Sequence, residues 1–249
     1  MSDVDLASAE SSPEIAENQG DRWTFVAVLP DSSFIHTLHH GDRTVENAKK
    51  FIEKIKEKSD GEAPLFSSDD WFYEQSLLHS YGVDFQPPYK GRGRRPLPIR
   101  VAHPKLKYVQ VRKKRDSKGK IIDITFGIVY GEEAEIDVIF ASATRCKTIN
   151  TVFVESRNGK FRKDDARLIR KTLCHSKKAV YHDAHADLTA QVMNYTRVNN
   201  GLKVLKNQDA ALFEQKYQHL TPAMAEGLID KLLTIKELLI RRPQKITIN

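Results

Sequence analysis

The chain has 249 residues, 40% of them apolar, with 40 lysines and arginines against 33 aspartates and glutamates and a net charge of +7. That size and composition allow a full hydrophobic core, so one large domain with appendages is expected. Only two cysteines occur, Cys146 and Cys174, in separate segments; this excludes a zinc ribbon and a disulfide framework and suits a reducing, cytoplasmic compartment. The N-terminus lacks a basic start followed by an apolar core, and no apolar run approaches the ~18 residues of a membrane span, so neither a signal peptide nor a span is expected.

Residues 1–20 are polar and acidic, with too few large apolar groups to offset the entropy of ordering, and read as a disordered tail. From Trp23 the runs WTFVAVL and FIHTLHHG flank Pro30-Asp31-Ser32-Ser33 and predict an antiparallel hairpin. Thr44 is the expected N-cap of an amphipathic helix whose buried face carries Val45, Ala48, Phe51, Ile52 and Ile55. The run LFSSDDW predicts a strand that ends in Asp69 and Asp70, and a helix with Trp71, Tyr73, Leu77 and Leu78 in the core follows it. Carboxylates at the end of a buried strand are presented into a crevice, although Ser68 or Asp69 would serve equally as a helix N-cap.

Positive charge is concentrated in two places. Residues 89–120 hold 13 basic residues and one acid, Asp116, while residues 151–178 hold nine basic residues and three acids. Such asymmetry points to a polyanionic partner, with a merely solvated charged face as the plainer reading. Within the first region, residues 84–105 read as an extended basic loop. KYVQVRKKR and KIIDITFGIVYG then form a hairpin about Asp116-Ser117-Lys118-Gly119, with EAEIDVIF as a third strand beside it. In the second, Glu155 stands at the mouth of a basic helix. AVYHDAHADLTAQVMNYTRV is also helical; its His182 and His185 share a face, but without a third ligand they read as a solvated or hydrogen-bonded face rather than a metal site. Toward the C-terminus, Thr221-Pro222 opens a helix through PAMAEGLIDKLL, and Thr234 with Glu237 forms a capping box for IKELLI.

The inventory of reactive groups lacks a Gly-rich phosphate loop, a G-x-S-x-G elbow and a cysteine in a His and Asn setting. A strand-end acid, a helical acid and abundant positive charge remain. That set suits phosphoryl transfer with two Mg²⁺ or Mn²⁺ held by carboxylates, the ligands these hard ions prefer.

The run INTVFVESRNGKFRKDDARLIRKTLCHSKK resembles the third-acid block of insertion-sequence-one-like DDE transposases, through Val154, Glu155, Asn158, Arg162, Arg170, Lys171, Thr172, Ser176 and Lys177. GDRWTFVAV, the Gly41-Asp42-Arg43-Thr44 turn, SSDDW and LTPAMAEGLID are similar to further blocks of that family, in order, so the resemblance spans about residues 20–230. It implies an α/β fold: an RNase H-like mixed sheet flanked by helices, over residues 21–200, with a basic loop and β-hairpin inserted at 85–140 and a helical extension at 201–249. It also implies that Asp69 and Glu155 hold Mg²⁺ or Mn²⁺, and that Arg112, Lys113, Lys114, Arg115, Arg157, Asn158, Arg162, Arg170 and Lys171 grip double-stranded DNA. A homodimer on DNA, nucleoid-associated in the cytoplasm, is the expected assembly. The family's first acid, carried by an Asp-Glu-x-Trp strand, has no counterpart beyond Asp3 and Asp5, whose neighbours lack strand-forming residues. Two expectations follow: a DNA-cleaving and strand-transferring enzyme, or a truncated remnant that binds DNA without catalysis.

Overall fold

The computed structural model describes residues 22–69, 73–89, 91–169, 172–206 and 216–240. The expectations for the acidic tail with Asp3 and Asp5, for Asp70 and Trp71, and for Arg170 and Lys171 lie outside the described residues.

Strands β1 (Trp23–Leu29) and β2 (Phe34–Gly41) pair antiparallel about the expected turn. Alternation along a strand sends neighbouring side chains to opposite faces, and here both faces are apolar. Phe25 and Ala27 pack with one set of helices, while Val26, Ile35 and Leu38 pack with another. Helix α1 (Val45–Glu57) begins where Thr44 accepts a hydrogen bond from the Asn47 amide at 3.3 Å, and it buries Ala48, Phe51, Ile52 and Ile55 at helical spacing. The short strand β3 (Leu65–Asp69) leads to α2 (Tyr73–Tyr81), whose Leu77 and Tyr81 close the same core against α1.

The expected extended loop contains a small ribbon. β4 (Gly82–Phe85) and β5 (Ile99–Ala102) pair antiparallel, because Val83 and Val101 form a β-branched cross-strand pair that the surrounding prolines and arginines obscure in the sequence. β6 (Lys107–Arg115) then pairs parallel to β3 and antiparallel to β7 (Ile121–Tyr130), giving the order β3-β6-β7. The basic hairpin is thus rooted in the sheet, with β6 its central strand. Leu106, Tyr108 and Phe66 tie this sheet into the core that holds Phe25 and α1.

Residues expected to form a third strand, EAEIDVIF, instead make α3 (Glu133–Ser142). Glu133 and Glu135 in its first turn match the helix dipole, and one apolar residue, Ile136, is buried where a strand would alternate. α4 (Val152–Asp164) and α5 (Ala179–Tyr195) bring Phe161, Ala190 and Met193 against Ile35 on the second face of the first hairpin. The chain is therefore mixed α/β, with a mixed sheet flanked by helices.

Among the described residues after 200, strands appear where a helical extension was expected. β8 (Asn199–Leu205) and β9 (Tyr217–Leu220) pair antiparallel before α6 (Pro222–Ala225), and α7 (Ile235–Ile240) follows. Thr221 caps α6 by accepting from the Met224 amide at 3.2 Å, but the helix stops after one turn because Gly227 adopts φ 70°, a left-handed conformation open to glycine. The capping box forms as expected: the Glu237 amide donates to Thr234 Oγ1 at 3.2 Å, and the Thr234 amide to Glu237 Oε2 at 2.8 Å. No helix among the described residues is long and apolar enough to cross a membrane.

Candidate active site

Asp69 is the last residue of β3 and stands opposite Val111 in the parallel register, so it shares a sheet face with Val111 and, two residues on, with Lys113. α4 supplies the other acid. Thr151 precedes the helix, and Glu155 lies in its first turn, where unpaired amides favour negative charge. Lys113 joins them. Its ammonium hydrogen-bonds Glu155 Oε1, donates to Thr151 Oγ1 at 2.6 Å and lies 3.8 Å from Asp69 Oδ1. The Lys113 side chain is 15% exposed, whereas those of Asp69 and Glu155 are 69% and 54% exposed. Two acids that are 86 positions apart in sequence thus meet over one cation, at the open end of a parallel strand pair.

The surroundings hold that arrangement. Ser67 donates to the Asn150 carbonyl at 3.5 Å, and the Asn150 side chain accepts from the Val152 amide at 3.2 Å, which ties β3 to the start of α4. On the opposite face Ser68 and the Tyr108 hydroxyl lie 2.7 Å apart. Tyr73, just beyond Asp69, has its hydroxyl pushed well above the usual range by burial and then by the nearby Tyr108 and Asp69. It remains a protonated donor under all ordinary conditions.

The residues expected to grip DNA divide. Alternation along β6 sends Lys113 and Arg115 to one face and Arg112 and Lys114 to the other, so the four do not form a single patch. Arg112, Lys114 and Arg115 are exposed, as is Arg162 on α4, while Asn158 is half-buried. Lys113 is engaged with the acids instead. Arg157, expected among the DNA-gripping residues, is 4% exposed, and burial, then the charge of Arg145, pushes its guanidinium below the usual range. A helix cation packed inward does not present itself to a phosphate backbone. The basic helix also ends sooner than residues 151–178 suggest. Asp165, 1% exposed, terminates α4, and its side chain accepts from the Arg167 amide at 2.9 Å.

His182 and His185, expected on a solvated or hydrogen-bonded helix face, each meet a carboxylate. His185 Nδ1 lies 2.6 Å from Asp165 Oδ2, while His182 turns toward His40 of β2 and Asp183. No local signal marks His40, because its partners lie some 140 residues away and only the packing of α5 on β2 brings them together. Comparison of the chain with family models, curated proteins and solved structures gave no match.

Proposed function

We propose that the chain is a DNA-cleaving and strand-transferring enzyme of the DDE transposase type, built on an RNase H-like version of the mixed sheet described above. The observation that carries this reading is the convergence of Asp69 and Glu155 on the single ammonium of Lys113. Where one cation is already accommodated between two exposed carboxylates, hard divalent ions have oxygen ligands and access to solvent. Asp69 and Glu155 would hold Mg²⁺ or Mn²⁺, which when bound supplies charge stabilisation to the attacking and leaving oxygens of a phosphodiester.

The chain's own residues have separable roles. Thr151 and the first turn of α4 orient Glu155, whose Oε1 accepts from Thr151 Oγ1 at 3.3 Å. Lys113 balances the two negative charges when no other cation is near, and its long side chain allows the ammonium to move aside toward a scissile phosphate. The exposed Arg112, Lys114, Arg115 and Arg162 attract the DNA backbone without reading bases.

The test is nicking of DNA carrying the element's ends in the presence of Mn²⁺. Wild-type protein is expected to nick, and Glu155→Gln to lose that activity; equal nicking by the variant removes the role given to Glu155. The position of Lys113 favours a second reading, in which its ammonium permanently replaces the ions and the protein binds DNA without cutting it. That reading predicts salt-sensitive DNA binding unaffected by divalent ions and by Asp69→Asn.

A further inference from the structure

A second place where distant residues converge lies between β2 and α5. His40, on β2, has a side chain only 8% exposed; His182 and Asp183, in the first turns of α5, are 17% and 22% exposed. One ligand atom from each of the three lies within 4.8 Å of the other two. His182 Nδ1 stands 3.4 Å and His40 Nδ1 3.9 Å from Asp183 Oδ1. The latter distance is too long for a hydrogen bond. Ligand atoms about 2.0–2.1 Å from a tetrahedral ion stand a little over 3 Å apart, so modest contraction of this triad suffices to enclose one.

The outer contacts fit the same purpose. His40 Nε2 lies 3.2 Å from Asp187 Oδ1; with the ring proton on Nε2 donated to that carboxylate, the Nδ1 lone pair faces Asp183. Thr24 Oγ1 is 3.0 Å from the same Nδ1 and serves as its donor when nothing else is bound. Arg22 holds Asp183 through both oxygens, Nε reaching Oδ1 at 3.0 Å and Nη2 pairing with Oδ2. The two imidazole rings meet edge to face with centroids 6.1 Å apart. With both imidazoles neutral, as ligation requires, the two rings with Asp183, Asp187 and Arg22 sum to one negative charge, which a divalent cation reverses without leaving a large excess.

From this geometry we propose that His40, His182 and Asp183 form a transition-metal site, with water in the fourth position, that clips α5 to β2. Two nitrogen donors and one oxygen select Zn²⁺, Co²⁺ or Ni²⁺ over Mg²⁺. The site is separate from the carboxylate pair, and it stands or falls independently of the proposed function.

The experiment uses full-length protein carrying Glu155→Gln, so that the carboxylate pair does not compete, stripped with chelator and titrated with Co²⁺. One equivalent of Co²⁺ should bind with the visible ligand-field bands of a tetrahedral N,O site, be displaced by Zn²⁺ and raise the melting temperature. On that background His182→Gln should weaken Co²⁺ binding at least ~100-fold and Asp187→Asn ~10-fold, the range seen for outer-shell partners, while His185→Gln leaves it unchanged. Should His182→Gln not fold, the exposed Asp187 reports in its place. Absence of the bands, or equal affinity in His182→Gln and Asp187→Asn, overturns the proposal and leaves an ion-pair network only.

Discussion

The carboxylate pair and the β2–α5 contact assemble in the same way and are built for different ends. Each gathers residues from segments far apart in sequence, yet Asp69 and Glu155 lie open to solvent and share one lysine, whereas His40 is almost enclosed and its neighbours are fixed by several partners. An open site held by few contacts is cheap to alter and free to exchange cations. A closed one contributes to holding the layers together. Removing side chains at the first should therefore change Mn²⁺ binding and leave the fold intact, whereas removing buried side chains from the β2–α5 contact should destabilise the fold and leave Mn²⁺ binding at the carboxylate pair unchanged.

The sharpest break of that contrast is at Asn194, which is 0% exposed in α5 and both accepts from the Ile35 amide and donates to the Ile35 carbonyl at 2.9 Å. Asn194→Leu leaves two buried backbone groups unpaired and should destabilise the protein by about 2–5 kcal/mol in denaturant unfolding, with Mn²⁺ affinity of the surviving folded protein unchanged. Lys113→Met probes the opposite side of the comparison. Loss of the competing positive charge should raise Mn²⁺ affinity on the order of 10-fold while shifting stability by less than about 1 kcal/mol, since the acids it pairs with are exposed.

Smaller effects refine the picture near each region. Gly159 sits within α4, and an added Cβ would meet nothing within 4 Å. Gly159→Ala should stabilise by about 1 kcal/mol through a lower entropy cost of folding, raising the melting temperature without altering nicking. Asp31, in the turn between β1 and β2, accepts from the amides of Thr144, Arg145 and Cys146 at 3.1, 2.7 and 3.3 Å. Partial burial pushes its carboxyl up, but these three hydrogen bonds and Arg145 outweigh it and hold the group below the ordinary 3.8. A carboxyl depressed in the folded state contributes stability above its unfolded value and loses it as the pH falls through the folded one. Melting temperature should consequently fall below about pH 4, and Asp31→Asn should flatten part of that fall while lowering stability at neutral pH.

What the sequence disclosed follows the range of the physics involved. The first hairpin, α1 with its Thr44 cap, β3 ending in Asp69 and the Thr234–Glu237 box are written in local periodicity and capping chemistry, and they stand where expected. Glu155 at a helix start was legible for the same reason. Long-range packing decided the rest. Arg157 reads as a surface cation until α4 turns it inward, and Lys113 reads as part of a DNA-binding run until strand alternation sets it over the acids. α3 carries enough β-branched residues to suggest a strand, and its end charges and single buried position appear only in the fold. His40 has no partner within reach along its own strand, so the cluster with His182 and Asp183 is invisible without the α5 contact.

The central claim is that Asp69 and Glu155 together hold a divalent cation. Titration of the full-length protein with Mn²⁺, followed by loss of the free-ion paramagnetic resonance signal, reads this without requiring a DNA substrate. Wild-type protein should bind Mn²⁺, and Asp69→Asn and Glu155→Gln should each weaken that binding by at least ~100-fold, more than an outer-shell change would, while unfolding at the wild-type temperature in the absence of metal. Mn²⁺ bound equally well by all three proteins would contradict it.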